Sequence, residues 1–540
     1  MDPLTDKIAA AQRQVQSGQA AQALMSLQRL LPRHPHHAAL AGVTAHALVT
    51  LGRHEQAIFY ARKAVELAPA PGDHRALTNL GILLASARGV EFRDEALSLF
   101  ERALALSPRN ADARIGVTNI LMERQQWARA EAVCRAQEQF GPHDQLILTH
   151  AAALVSLGRL RDSMNLLAAG IRAFPDHVRI RSGLASTTIY LSEARPAEIA
   201  RLFHDFGRVL EKQTPRLPPP PASPPDPGRP LRVGILSPDL RTHSVAFFIE
   251  PFFEHHNPRT ISLVAYMTGP HEDTTSERLK AHAAQWRSCH AMKDDMLAQR
   301  IRDDDIDILV DLAGHTQGNK LGVLARKPAP VQVTYLGFPD TTGLSTVDVR
   351  IVDSLTDPPG PVPAIGGDAQ PTFDERARER LVRLDPCFLC YRPRESAPQP
   401  HRAPREASVA GGAGAGVVFA SFNAARKIST DCIALWSRIL LAVPGSTLIL
   451  KAVEFADPEG SRVLRDAFNA AGVGGGGGAG GSGGRVRFMP PQESLDDHLA
   501  MYSGVDVAQQ PIELTRLRER LADIPYDIEP SFPLSVRLAD

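Results

Sequence analysis

An excess of charge of either sign is missing from this chain: 60 Lys and Arg stand against 60 Asp and Glu in 540 residues. Nucleic acid needs a concentrated basic face, so a nucleic-acid partner is set aside. Long apolar runs are missing too. No run of about 18 apolar residues occurs, and no basic segment leads into an apolar one at the start, so the sequence reads as neither membrane-spanning nor secreted. Cysteine is scarce, at five, which suits a reducing compartment and a cytoplasmic location. Two of the five, Cys387 and Cys390, form a lone "CFLC". A zinc site would need a second ligand pair, and the Phe and Leu between the thiols point to buried packing.

What is present is ordinary globular composition, 43% hydrophobic and 22% charged, over a length that implies several domains. Residues 1–193 repeat themselves. Gly18, Ala23, Leu30 and Pro35 stand at intervals of five, seven and five; Gly52, Ala57, Ala64 and Pro69 match them, as do Gly158, Ser163, Gly170 and Pro175. Weaker copies lie between, at Ala96, Ala103 and Pro108 and at Ala130, Gln137 and Pro142. The terminal prolines are 34, 39, 34 and 33 residues apart, the tetratricopeptide period. Small residues let paired helices approach, Gly permits the turn, and Pro stops the second helix. Such a stack presents a surface for protein partners. Residues 194–213 are read as a capping helix and the proline-rich 214–230 as a stiff linker.

Beyond the linker the pattern becomes α/β. Strands are predicted at "LRVGILS", "ISLVAYM", "IDILVDL", "VQVTYLG" and "VDVRIVD", alternating early on with amphipathic helices, so 231–391 is read as a Rossmann-like domain with a mostly parallel sheet. A Pro, Ala and Gly-rich gap spans 392–416. Alternation resumes at "VVFASFN" and "STLILKA", making 417–540 a second such domain, with a glycine-rich insertion at 472–484. The fold class is thus an α superhelix followed by a pair of Rossmann-like domains, the second incomplete.

Polar residues gather where predicted strands end, which is where open α/β sheets bind ligands. "ILSPDLRTHS" brings Asp239, Thr242, His243 and Ser244; "DLAGHTQGNK" brings His315, Thr316 and Lys320; "TYLGFPDTTGL" brings Asp340, Thr341 and Thr342. Each cluster alone also reads as a turn histidine or a helix cap. In the second domain, "FASFNAARKIST" sets Asn423 and Lys427 before a helix start, a cation beside free backbone N–H groups that would suit a diphosphate. The bland alternative is a solvated lysine and an ordinary Ser/Thr cap.

These residues resemble a known family. "LVDLAGHTQGNKLGVLARKPAPVQVTYLGFPDTTGL", with "LRVGILSPDLRTHSVAFF" and "FASFNAARKIST", is similar to the SPINDLY branch of the protein O-linked N-acetylglucosamine transferases. The resemblance implies tetratricopeptide repeats joined to a GT-B glycosyltransferase that moves a sugar from a nucleotide diphosphate to Ser or Thr of a protein, with inversion and without a metal. It implies no cofactor, only a co-substrate, UDP-N-acetylglucosamine or GDP-fucose. His243 matches the family's active-site histidine, either orienting the acceptor hydroxyl or taking its proton; His315, Thr316, Thr341 and Thr342 are assigned to the sugar pocket, and Asn423 and Lys427 to the diphosphate. The polar clusters hold no acidic pair suited to a divalent ion, in agreement.

The chain departs from the family in two places. An asparagine ladder along the repeats is represented by Ala9, Val43, Asn79, Gly116 and Thr149, of which one is Asn. After "MYSGVDVA" the sequence reads "QQPIELTRLRERLAD" where the family continues into a threonine-rich, nucleotide-binding turn. The alternative expectation is therefore an inactive, truncated relative that binds proteins through its repeats.

Overall fold

The structure is a computed structural model that describes residues 3–69, 72–86, 90–219, 228–290, 292–365, 368–391, 416–474, 485–492 and 494–508. The proline-rich 220–227, the 392–415 gap, most of the glycine tract and everything after Ala508 lie outside those residues. The chain forms two compact units, one of Met1–Leu166 with Val453–Val463, the other of Leu167–Ala452 with Leu464–Asp540. No helix among the described residues is long and apolar enough to cross a membrane.

The first unit is built from helix pairs: Pro3–Gln16 with Ala20–Leu30, Ala38–Thr50 with His54–Glu66, His74–Ser86 with Val90–Leu106, and Ala111–Glu123 with Trp127–Arg135, followed by Asp144–Ser156. The periodic small residues sit at the closest approaches: Ala23, Ala57, Ala96, Ala103 and Ala130 are completely buried. Gly18, Gly52 and Gly158 turn the chain with φ of +81°, +73° and +72°; in the fourth pair Gln125 takes that conformation at +58°. That repeat therefore spends strain where its neighbours have glycine. One ladder position also has a packing explanation. A Cβ on Gly116 would lie 2.4 Å from the Phe100 ring, and one on Gly81 2.7 Å from it, so Phe100 fills the space a side chain would need. The segment Val453–Val463 joins this unit through Asp457, whose carboxylate accepts the Ala128 N–H at 3.1 Å.

The second unit carries two parallel sheets. In the first, β1 (Leu231–Ser237), β2 (Ile261–Met267), β3 (Gln285–Ser288), β4 (Ile308–Asp311), β5 (Val331–Thr334) and β6 (Val349–Val352) are joined by β9 (Arg380–Arg383), after a two-stranded antiparallel ribbon of β7 (Val362–Ile365) and β8 (Asp368–Gln370). The order is β3-β2-β1-β4-β5-β6-β9, reversing direction between β1 and β4. Period-two alternation feeds both faces: Leu263, Ala265 and Met267 pack with Ile249 and Phe253 on one, Val264 and Tyr266 with Leu297 and Ile301 on the other. The edge strand β3 carries no strand signal in the sequence, because "QWRS" has no apolar alternation. The second sheet, in order β12-β11-β10-β13, contains β10 (Val418–Ser421), β11 (Thr447–Lys451), β12 (Val486–Met489) and β13 (Val507–Ala508).

The helix Pro196–Gln213, expected to cap the repeats, packs against the helix Val178–Thr188, and its Phe206 and Leu210 also join the core beneath the first sheet, with Leu217 of the following linker. The Leu217 N–H donates to the Arg326 carbonyl at 2.8 Å, so the start of the linker is docked. Cys387 and Cys390, expected to be buried, are both exposed, because the residues around them leave the sheet after β9.

Candidate active site

At the reversal of the first sheet, three strand exits press together. A Cβ on Gly269, after β2, would lie 2.2 Å from the Pro238 carbonyl oxygen; one on Gly318, after β4, would lie 3.1 Å from Pro238 Cβ. Only glycine allows these approaches. The β1 exit is tied again by Asp273, which accepts the Thr242 N–H at 2.8 Å while capping the helix Thr274–His282, and by Ser276, whose hydroxyl donates to the Leu240 carbonyl at 2.7 Å. His243 is the N-cap of the helix Ser244–His255. Its Nδ1 accepts the Val245 N–H at 3.3 Å and lies 3.8 Å from the Asp239 carboxylate. Burial lowers its pKa; Asp239 pulls upward and Arg241 downward. The ring is therefore neutral near pH 7. With Nδ1 accepting, its one proton is on Nε2, and His243 presents a donor at its free end.

The β4 exit is a different kind of structure. Asp311, fully buried, accepts the Gly314 N–H at 2.8 Å, the Ala313 N–H at 3.3 Å and the Thr334 hydroxyl at 3.1 Å. His315 turns inward: Nδ1 lies 2.8 Å from Ser182 Oγ, Nε2 lies 3.0 Å from the Thr342 carbonyl, and the ring is packed among Phe203, Phe206 and Phe338 at 4.7, 4.6 and 5.2 Å. The carbonyl can only accept, so Nε2 donates and Nδ1 takes the Ser182 proton. Thr316 donates its hydroxyl to the Ala313 carbonyl at 2.8 Å. Thr341 and Thr342 are completely buried, and Glu379 accepts both hydroxyls as well as the Thr342 N–H. The side chains of His315, Thr341 and Thr342, the residues expected to line a sugar pocket, are committed to these internal ties. No hydrogen bond or ring contact joins His243 to His315 among the described residues.

Asp311 and His315 also set a pH signature. Burial pushes the Asp311 carboxyl up to about 6 and drives His315 down to about 4. A depressed histidine gives stability that is lost as pH falls from its ordinary value near 6.5 towards 4; a raised carboxyl gives stability that is lost as pH rises through 6. Each is worth about 3 kcal/mol on that scale, and over pH 4 to 6.5 the two oppose one another. Asp311→Asn should unmask the histidine. Urea midpoints should then drop by the equivalent of about 3 kcal/mol between pH 7 and 4.5, against a near-flat parent; an unchanged slope would mean that His315 takes up its proton freely in the fold.

In the second sheet, Asn423 follows β10, its side-chain amide 3.5 Å from Ser421 Oγ. Lys427 ends a short 3-10 turn, Ala425–Lys427, and is exposed, with no side-chain partner among the described residues. Ser429 caps the helix Thr430–Ala442 by accepting the Cys432 N–H at 3.2 Å. The expected arrangement of a cation ahead of a helix start is therefore present. A cluster that sequence reasoning missed lies beside it. Lys451, the last residue of β11, holds its ammonium 5.1 Å from the Phe422 ring centre and hydrogen-bonds His498 Nδ1; Phe422, His498 and Tyr502 stack edge to face at 4.9 to 5.7 Å. Burial lowers the pKa of Lys451, while burial and the Lys451 charge both lower that of His498. Its one sequence signal was the i, i+4 spacing of His498 and Tyr502. Among the described residues no three His, Cys, Asp or Glu side chains are grouped to hold a metal ion.

Residues 204–362 match the family model for glycosyl transferase family 41, and residues 93–149 and 44–71 match tetratricopeptide repeat models. The probable UDP-N-acetylglucosamine–peptide N-acetylglucosaminyltransferase SPINDLY of Arabidopsis thaliana is 41% identical over 234 residues, covering 43% of this chain and 24% of that protein. Its counterpart in Solanum lycopersicum is 34% identical over 323 residues, covering 59% and 32%. The chain thus spans about a quarter to a third of the length of these curated relatives. A solved structure of a mutant O-GlcNAc transferase from Thermobaculum terrenum superposes with a TM-score of 0.69 at 30% identity, covering 81% of this chain and 77% of that one.

Proposed function

We propose, from the premise that this chain belongs to glycosyl transferase family 41, that it transfers N-acetylglucosamine or fucose from a nucleotide diphosphate sugar to Ser or Thr of a protein. The reading is of an inverting reaction that needs no metal. The observation that carries it is the exposed Lys427 ahead of the capped helix Thr430–Ala442, at the carboxyl edge of a parallel sheet. When the glycosidic bond to the diphosphate breaks, negative charge grows on the leaving oxygen, and an ammonium at the positive end of a helix stabilises it. The Phe422, His498 and Tyr502 rings next to Lys451 offer flat apolar faces to a nucleobase. His243, neutral with its proton on Nε2, orients the acceptor or donor oxygen by donating to it rather than accepting a proton there. The tetratricopeptide helices present the protein acceptor.

The reading in which the chain only binds proteins draws on the internal commitment of His315, Thr341 and Thr342, which leaves the first sheet fewer groups for a sugar. Melting temperature separates the two. A nucleotide that binds the native state at a hundred times its Kd adds about 2.7 kcal/mol of stability. A rise with UDP or GDP, followed by labelled-sugar transfer to protein that falls at least about tenfold in His243→Ala, supports the enzyme. No shift with either nucleotide and no transfer favours the scaffold.

A further inference from the structure

The proposed reaction leaves one sequence motif unused, the CFLC of Cys387 and Cys390. The segment 384–391 that carries it is tied down repeatedly. The Leu384 N–H donates to the Val352 carbonyl at 2.8 Å, and the Asp385 carboxylate accepts the Ser354 N–H and hydroxyl at 2.8 and 2.7 Å. The Phe388 N–H donates to Asp353 at 3.1 Å, and its carbonyl accepts the Tyr335 hydroxyl at 2.6 Å. Tyr391 stacks 5.5 Å from Phe248, on the helix that His243 caps. The segment therefore crosses from β9 past the exits of β6 and β5 to the helix after β1. Between these ties both thiols are exposed and free.

The other three cysteines are chemically silent by comparison. Cys134, Cys289 and Cys432 are buried, and burial pushes the thiols of the first two up to about 11 and raises the third. Because the thiolate is the reactive form, oxidation falls on the exposed pair. The pair also shares one neighbourhood: the Tyr335 hydroxyl is raised first by burial and then by both thiols.

We propose that Cys387 and Cys390 form a reversible dithiol–disulfide pair, oxidised by a small-molecule disulfide such as glutathione disulfide. One cysteine sulfur attacks the glutathione disulfide, breaking its S–S bond and releasing one glutathione as thiol. The other cysteine sulfur then attacks the mixed disulfide at the protein sulfur and releases the second glutathione. Two protein thiols lose two electrons and two protons, and both pass to the two glutathiones. Ring closure acts on the backbone of Phe388, whose N–H and carbonyl hold Asp353 and Tyr335, so the redox state of the pair is felt at the β5 and β6 exits. Nothing in this inference depends on sugar transfer.

The test equilibrates the reduced full-length chain with glutathione and glutathione disulfide, quenches with acid, and reads intact mass and a peptide map. The expected product has lost two hydrogens, carries a Cys387–Cys390 link, returns to the dithiol with dithiothreitol, and keeps Cys134, Cys289 and Cys432 alkylatable after unfolding. Cys390→Ser and Cys387→Ser should each stop at a glutathione adduct, accumulating it at least about tenfold over the parent because the intramolecular resolving thiol is gone. Separate adducts on both cysteines of the parent, a disulfide between two chains, or equal oxidation of the buried cysteines would each overturn the proposal.

Discussion

Gly207→Ala is expected to destabilise the second unit by about 3 to 5 kcal/mol, the range seen when large core aromatics lose their packing. A Cβ at residue 207 would lie 1.8 Å from the Gly343 carbonyl oxygen and 2.5 Å from its carbon; a Cβ at residue 343 would lie 2.0 Å from the Phe203 carbonyl oxygen. These are backbone atoms, which cannot rotate aside, so the helix Pro196–Gln213 must move. It would carry with it Phe203 and Phe206, which are 0% and 2% exposed and pack on His315. Intrinsic propensity argues the other way, since alanine within a helix is favoured over glycine by about 1 kcal/mol. Gly42 supplies the control: it is also mid-helix, and its Cβ would meet only Ala64 Cβ at 3.9 Å. In urea unfolding followed by fluorescence, Gly42→Ala should be neutral or stabilising and Gly207→Ala strongly destabilising. Equal behaviour of the two would refute the backbone contact.

The second large effect is on rate. Lys427→Ala should lower kcat for sugar transfer by about a hundredfold to a thousandfold, the loss typical of removing one preorganised group that stabilises transition-state charge. Stability should not move, because the side chain is exposed and has no partner among the described residues. Lys451→Ala should behave differently. Its ammonium packs on Phe422 and bonds His498, so its loss loosens the ring cluster and should raise KM for the nucleotide sugar more than it lowers kcat. Full turnover in Lys427→Ala would remove the diphosphate clamp from the account. A lowered melting temperature in the same variant would expose a structural role instead.

Legibility followed the physics of each element. The repeats could be read because small residues recur wherever helices touch, and the completely buried Ala23, Ala57 and Ala130 are those residues. Strands β1 and β2 could be read because both faces of a parallel sheet are buried and the runs are continuously apolar. β3 could not, since an edge strand such as "QWRS" has one solvated side. At the candidate site, His243 and Lys427 each carry a local signal, a strand exit before a helix start. His315, Thr341 and Thr342 carried the same signal and proved to be internal, because their partners, Ser182 and Glu379, are distant in sequence and no local pattern announces them. The cluster of Lys451, Phe422, His498 and Tyr502 was missed for the same reason: it is assembled from three separate stretches.

The docking of helix Pro196–Gln213 beneath the first sheet bears on how such proteins can be recombined. A splice made at the proline run, the most visible seam in the sequence, would strip Phe206, Leu210 and Leu217 from the sheet they cover and leave oily surface in water. Exchange of one repeat array for another would succeed only upstream, near Leu167, where the second compact unit starts. The inheritable cassette for the α/β half therefore includes the final helices of the array, and lineages that swapped partners should have kept them together.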